Sequence, residues 1–115
     1  MYHRIPLPTK DGLEFLPATD ILYIQASGNY SIVYTYEKKP IYVFKPLKSL
    51  EESMIEKGFI RIHNMYVINV FHLLRYSKGD GGTVELSNGK KLEVSRGRKR
   101  EFLRRIKGGG EEYKS

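Results

Sequence analysis

The chain has no cysteine and no tryptophan, only three histidines, and no long apolar run. Without cysteine it can form neither disulfides nor thiolate metal sites, a composition suited to a reducing cytosol. A membrane-spanning helix needs about 20 apolar residues in succession, and none occur. The start, Met1-Tyr2-His3-Arg4-Ile5-Pro6, lacks the apolar core of a signal peptide. His3, His63 and His72 have no carboxylate near them at a catalytic or metal-binding spacing. The glycines between Gly79 and Gly82 lack the lysine and hydroxyl spacing of a phosphate-cradling loop. No nucleophile with an oriented base is evident. The expectation is therefore a protein that is not an enzyme and needs no metal or other cofactor.

What is present is concentrated charge. From Lys90 to Lys107 nine basic residues face two acidic ones, a net +7, which equals the charge of the whole chain. The other 97 residues hold 11 basic and 11 acidic groups and cancel. A neutral body with one cationic element points to a polyanion held at a defined place, nucleic acid first among them. The competing reading is a solvated helix face. The 115 residues amount to one domain with a modest core, and nine tyrosines with five phenylalanines favour strands.

Local patterns predict a mostly antiparallel β domain with two short helices. Extended pieces at Tyr2–Thr9 and Leu13–Leu16 flank the turn Lys10-Asp11-Gly12. Ile21–Ala26 is a strand apolar on both faces, and Ser27-Gly28-Asn29 a tight turn. Tyr30, Ile32, Tyr34 and Tyr36 then alternate with Ser31, Val33 and Thr35 at period two. After a strand at Ile41–Phe44, Pro46 opens a helix with Leu47, Leu50 and Met54 on one face, and Gly58 closes it. Phe59–Ile62, Tyr66–Val70 and Phe71–Ser77 are extended. Thr83–Ser87 and Lys90–Val94 flank Asn88-Gly89, which predicts a type I′ hairpin turn. Ser95 is placed to cap a last helix reaching Ile106. Residues 1–107 form the domain, and 108–115 are expected to be a disordered tail.

That last helix conflicts with its own dipole. Arg96, Arg98, Lys99 and Arg100 crowd its positive end, where each cation costs about 0.3–1 kcal/mol at low salt. A phosphate at that terminus reverses the sign of each contribution. Phe102, Leu103 and Ile106 supply an apolar stripe that anchors the helix while its start is offered to a ligand.

Several blocks in order carry a family resemblance. They are Asp20-Ile21-Leu22-Tyr23-Ile24-Gln25-Ala26-Ser27-Gly28-Asn29-Tyr30, Leu47-Lys48-Ser49-Leu50-Glu51-Glu52, and Gly58-Phe59-Ile60-Arg61-Ile62-His63-Asn64-Met65-Tyr66-Val67-Ile68-Asn69. Gly82-Thr83-Val84-Glu85-Leu86-Ser87-Asn88-Gly89 and Leu92-Glu93-Val94-Ser95-Arg96 follow. From Lys10 to Ile106 the chain resembles the LytTR family of bacterial DNA-binding domains, the Phe-x-Arg-x-His-x-x-Tyr-x-Ile-Asn spacing being the specific part. The resemblance implies an elongated stack of small antiparallel β-sheets with short helices. It also implies contact with duplex DNA through loops that enter successive major grooves. Asn29 and Tyr30, His63 and Asn64, and Arg96 with Lys99 fall on the family's contact positions. It further implies a cytoplasmic transcription or response regulator, dimers on direct-repeat sites, and an upstream receiver domain that this chain does not contain.

The side chains suit those places. Asn64 can pair with adenine and Arg96 with guanine O6 and N7. Arg98, Lys99 and Arg100 suit phosphate, where charge matters more than direction. Tyr30 has the alternative of packing, and His63 that of fixing its loop by hydrogen bonding. Arg61, inside an apolar strand, calls for a carboxylate partner, and Asn69 for backbone groups at a bend. The alternative function is a non-specific or single-stranded RNA-binding module that stacks bases on strand aromatics.

Overall fold

The computed structural model describes residues 4–107. The expected tail at 108–115 and the start of the first extended piece lie outside the described residues. β1 (Arg4–Thr9) and β2 (Gly12–Pro17) form a hairpin across Lys10-Asp11. β3 (Ile21–Ser27), β4 (Tyr30–Thr35), β5 (Ile41–Val43), β6 (Phe59–His63) and β7 (Tyr66–Asn69) build a second sheet in the order β5-β4-β3-β7-β6. β8 (Leu73–Ser77), β9 (Thr83–Leu86) and β10 (Lys91–Glu93) make the third. All pairings are antiparallel. α1 (Leu47–Met54) and α2 (Arg96–Ile106) complete a body of 48 × 33 × 25 Å. No helix among the described residues is long and apolar enough to cross a membrane.

The five-stranded sheet is covered on both faces, so its strands feed two opposite cores, with Leu22 and Tyr23 on one side at the register shift of β3. Ile24, Phe59 and Val67 join Leu7, Leu16, Leu50 and Met54 on the side of the hairpin and α1. Tyr23, Ile60 and Ile68 join Val84, Leu86, Leu92 and Phe102 on the side of the third sheet and α2. Full burial of such side chains stabilises by about 1.5–3 kcal/mol each. Tyr23 stacks on Tyr34 at 4.5 Å. Its burial, reinforced by Tyr34 and Tyr66, pushes the Tyr23 phenol up to about 12. That ring is therefore neutral in any ordinary buffer.

On β4 the buried set is Ser31, Val33 and Thr35. The Ser31 hydroxyl donates to the Lys45 carbonyl at 2.7 Å, and Thr35 Oγ1 accepts from the Lys38 N–H at 3.1 Å. Both small polar side chains are thus satisfied inside, and the larger tyrosines take the other face. Gly58 ends α1 as expected, through a 3₁₀ turn at Ile55–Lys57 and a left-handed φ of 90°.

Three expectations need correction. The stretch Phe71–Ser77 is not one strand: Val70–His72 is a 3₁₀ turn, because Asn69 Oδ1 accepts from the Phe71 N–H and bends the chain there. Asn88-Gly89 is not a type I′ turn, since Asn88 does not adopt a positive φ. The hairpin closes instead with Gly89 N–H donating to Leu86 O and Leu86 N–H to Lys90 O, and only Gly89 takes a positive φ, 89°. This is the three-residue loop that ends in a glycine bulge. Finally, Ser95 occupies the cap position of α2 with extended backbone, but its hydroxyl makes no capping bond. Main-chain bonds set the helix start: Ser95 N–H donates to Ile62 O and Val94 N–H to Gly82 O. Gly81 lies so close that a Cβ there would stand 1.8 Å from the Val94 carbonyl oxygen. Ser95→Ala is therefore expected to cost under about 0.5 kcal/mol in chemical denaturation, against roughly 1 kcal/mol for a working cap.

Candidate nucleic-acid interface

The predicted contact residues come from three separate connections. Asn29 and Tyr30 close the hairpin from β3 to β4, where Ser27 pairs with Tyr30 and Gly28 takes a φ of 62°. That pattern, positive φ at the first central residue only, is a type II′ turn. His63 and Asn64 lie at the β6–β7 connection. Arg96 begins α2.

Two main-chain hydrogen bonds join these segments side by side. Ala26 N–H donates to Met65 O at 2.9 Å, tying the first loop to the second. Ser95 N–H donates to Ile62 O at 2.8 Å, tying the second loop to the start of α2. The second bond depends on a bulge. Arg61 pairs with Val67 and His63 with Tyr66, so Ile62 is the extra residue on β6. Its carbonyl takes the Ser95 N–H instead. The β6–β7 loop is thus the middle of a continuous surface, with Asn29-Tyr30 on one side and Arg96 on the other.

Asn64 is exposed, and its side-chain amide makes no hydrogen bond among the described residues. Its four hydrogen-bonding positions are available to an adenine edge. His63 is half-buried, and its Nδ1 accepts from Met65 N–H at 3.0 Å. The ring both fixes the loop and keeps its proton on Nε2, as a donor. The two readings of His63 are compatible in one geometry. Tyr30 is 51% exposed, its ring 5.1 Å from Phe44, so it packs on a neighbour while leaving half its surface outside.

At α2, Arg96 and Arg100 are exposed while Arg98 and Lys99 are half-buried. The first turn holds no acidic residue. Among the described residues the ion pairs are Arg61–Glu51, Arg75–Glu85 and Arg104–Glu101, so none of these four cations is neutralised by one. The Glu101 carboxyl is held below the usual carboxylate range, chiefly by its hydrogen bond from Arg104. That carboxylate is committed to the second turn. Phe102 is fully buried, with Leu103 and Ile106 packed beside it. The predicted stripe does anchor the helix.

Two contributors were left out of the contact set read from the sequence. Arg61 finds its carboxylate, Glu51 at 2.7 Å, but also holds the second loop: its Nε donates to His63 O at 2.9 Å and its Nη2 to Asn64 O at 2.7 Å. Only the isolated charge in an apolar strand signalled it. Gly81, which lets the 79–82 loop close against Val94 and so seats the start of α2, gave no signal beyond being glycine. Asn69 behaves as expected, its Nδ2 donating to Ala18 O and Ile21 O at 3.0 and 2.8 Å.

The model of the LytTr DNA-binding domain matches residues 11–107. The chain is 28% identical over 81 residues to a CO-responsive transcriptional regulator, RcoM, of Rhodospirillum rubrum. That match takes in 69% of this chain, which spans about a third (33%) of the length of that relative. Among solved structures, the LytTr DNA-binding domain of a putative methyl-accepting/DNA response regulator from Bacillus cereus superposes with a TM-score of 0.74. It covers 94% of this chain and 99% of its own at 22% sequence identity, a likeness of fold. The elongated stack of antiparallel sheets with two short helices is that fold, and with the family match over 11–107 it follows that this chain belongs to the LytTr DNA-binding domain family.

Proposed function

We propose that the chain binds duplex DNA sequence-specifically as the DNA-reading part of a cytoplasmic transcriptional regulator, without catalysis. The observation that carries this reading is the contiguity of the three segments through the Ala26–Met65 and Ser95–Ile62 bonds, beside four cations that no carboxylate among the described residues pairs with. Asn64 and Arg96 are base readers on adjoining elements. Arg98, Lys99 and Arg100 position the phosphate backbone, and Asn29, Tyr30 and His63 complete the surface.

Selection from a random duplex pool at near-physiological salt tests the reading. A short enriched motif is expected, in the direct-repeat arrangement if two copies bind side by side. Arg96→Ala should blur part of the motif and cost about 1–3 kcal/mol on the selected site. Lys99→Ala should weaken all sequences alike and lower the slope of affinity against salt by about one. Uniform weakening by Arg96→Ala would reassign that residue to phosphate. One observation favours a second reading: Tyr30, Tyr42 and Phe44 are 51, 60 and 50% exposed near one another on the β4–β5 edge, as a stacking platform for single-stranded bases would be. Binding without enrichment, displaced by single-stranded RNA, would establish it instead.

A further inference from the structure

Arg61 sits in β6 between Ile60 and Ile62, both buried, and its side chain is 13% exposed. A guanidinium in such a place has to be both paired and hydrogen-bonded. Here its three nitrogens go to three different acceptors: Nη1 to Glu51 Oε1, Nη2 to Asn64 O, and Nε to His63 O. Two consecutive carbonyls of the β6–β7 loop are therefore gripped by one rigid fork, and the fork is gripped from behind by a helix. That helix is itself fixed, since Leu47, Leu50 and Met54 are all buried in the core beneath it.

The consequence is directional. Gripping the carbonyls of residues 63 and 64 fixes the plane of the peptide groups on both sides of the Asn64 Cα, and with them the direction in which the Asn64 side chain leaves the loop. The Met65 N–H bond to His63 Nδ1 closes the same loop from inside. All main-chain polarity of the loop that these bonds reach is spent inward, while the Asn64 side-chain amide has no partner among the described residues. A bidentate amide contact tolerates little angular error, so orientation of this kind determines discrimination more than total affinity.

We infer that Arg61, held by Glu51, is a positioning residue that sets base preference through Asn64 without itself touching DNA. This rests on the specific-recognition reading above. Lysine cannot replace it: one ammonium on a flexible stem keeps the charge but cannot hold three acceptors in a plane.

The test compares Asn64→Ala, Arg96→Ala and Arg61→Lys on the selected duplex and its single-base variants. Asn64→Ala defines the positions read by the loop. Arg61→Lys should reduce discrimination at those same positions by about ten-fold, one base contact's worth. Preference at the positions blurred by Arg96→Ala, and the salt slope, should stay as in the parent chain. In the free protein, exchange of the Met65 amide should quicken about ten-fold in Arg61→Lys while the β3 amides keep their protection. Should Arg61→Lys fail to fold, Glu51→Gln keeps the guanidinium, weakens its anchor, and is expected to give the same pattern. Equal loss at every position, a lowered salt slope, or unchanged discrimination would each overturn the assignment alone. A parent chain that enriches no motif overturns the recognition reading and this assignment with it, and the amide exchange then reports separately whether Arg61 orders the loop.

Discussion

Phe102→Ala is expected to cost about 3–5 kcal/mol of folding stability, because a fully buried aromatic is replaced by a cavity. Domains of this size are stable by roughly 5–15 kcal/mol in total, so the loss is a large share of the whole. Phe102 is the one residue of α2 that is completely enclosed, and its ring lies 5.9 Å from Tyr76. Tyr76 in turn donates its hydroxyl to Gly81 O at 2.7 Å, beside the segment that seats the start of α2. The cavity therefore opens behind the cationic helix. Urea denaturation followed by circular dichroism measures the stability loss. DNA affinity measured where the variant is still folded should fall for selected and unrelated duplexes alike, since the whole helix start is loosened. A loss under about 1 kcal/mol would mean that α2 hangs on Leu103 and Ile106 instead.

The second large effect is expected at Asn69, which is 2% exposed and joins three main-chain groups of three segments. Asn69→Ala leaves the carbonyls of Ala18 and Ile21 and the N–H of Phe71 without their partner, at about 1–3 kcal/mol for each group that water cannot reach. A total near 3 kcal/mol is expected. Asn69→Asp should be worse at neutral pH, although it is nearly isosteric. It keeps the acceptor for Phe71 but sets a carboxylate oxygen against two carbonyl oxygens. Those carbonyls raise the folded-state pKa of the new acid above its unfolded value of about 3.9. The stability of Asn69→Asp is then greatest below that value and declines as pH rises through the folded pKa, the reverse of an ion-paired aspartate. Denaturation of parent, alanine and aspartate variants at pH 4 and pH 7 checks both the order and its pH dependence. Parent-like stability of Asn69→Ala at both would show that water replaces the amide.

The parts of this fold that were legible in the sequence are those where a side-chain pattern carries the physics. Leu47, Leu50 and Met54 marked a helical face and are all buried. Ile21–Ala26, apolar on both faces, marked a strand, and its residues divide between two cores. Asn69, polar in an apolar strand, marked a bend. Pattern failed where small polar groups find partners inside. The period of β4 was visible, yet nothing in Ser31 or Thr35 announced that carbonyls at Lys45 and Lys38 would meet their hydroxyls. The hairpin at Asn88-Gly89 was visible, but its loop length was not, because a glycine with positive φ serves either turn. The site divides in the same way. Its candidate residues were proposed from their chemistry and the family resemblance, whereas the way the chain brings them together was not legible. The bonds that bring the three segments together run from main chain to main chain, and such groups are identical at every residue. Arg61 was legible as needing a carboxylate, while the two carbonyls it also holds have no signature at all.

The order of the three segments has a consequence for how such a surface can diverge. The β6–β7 loop is bonded on both sides, to Met65's partner Ala26 and through Ile62 to Ser95, whereas the Asn29 turn and Arg96 each border it on one side. Substitutions at the outer two segments change what is read there and leave the scaffold bonds intact. Substitutions beneath the middle segment, at Arg61 or Glu51, release the two carbonyls that orient Asn64 itself. In a library randomised over all three and over Arg61 and Glu51, and selected for a new target, accepted changes should accumulate at residues 29, 30 and 96, while Arg61 and Glu51 persist. Drift in operator sequence would then proceed from the flanks inward, with the central position the last to move.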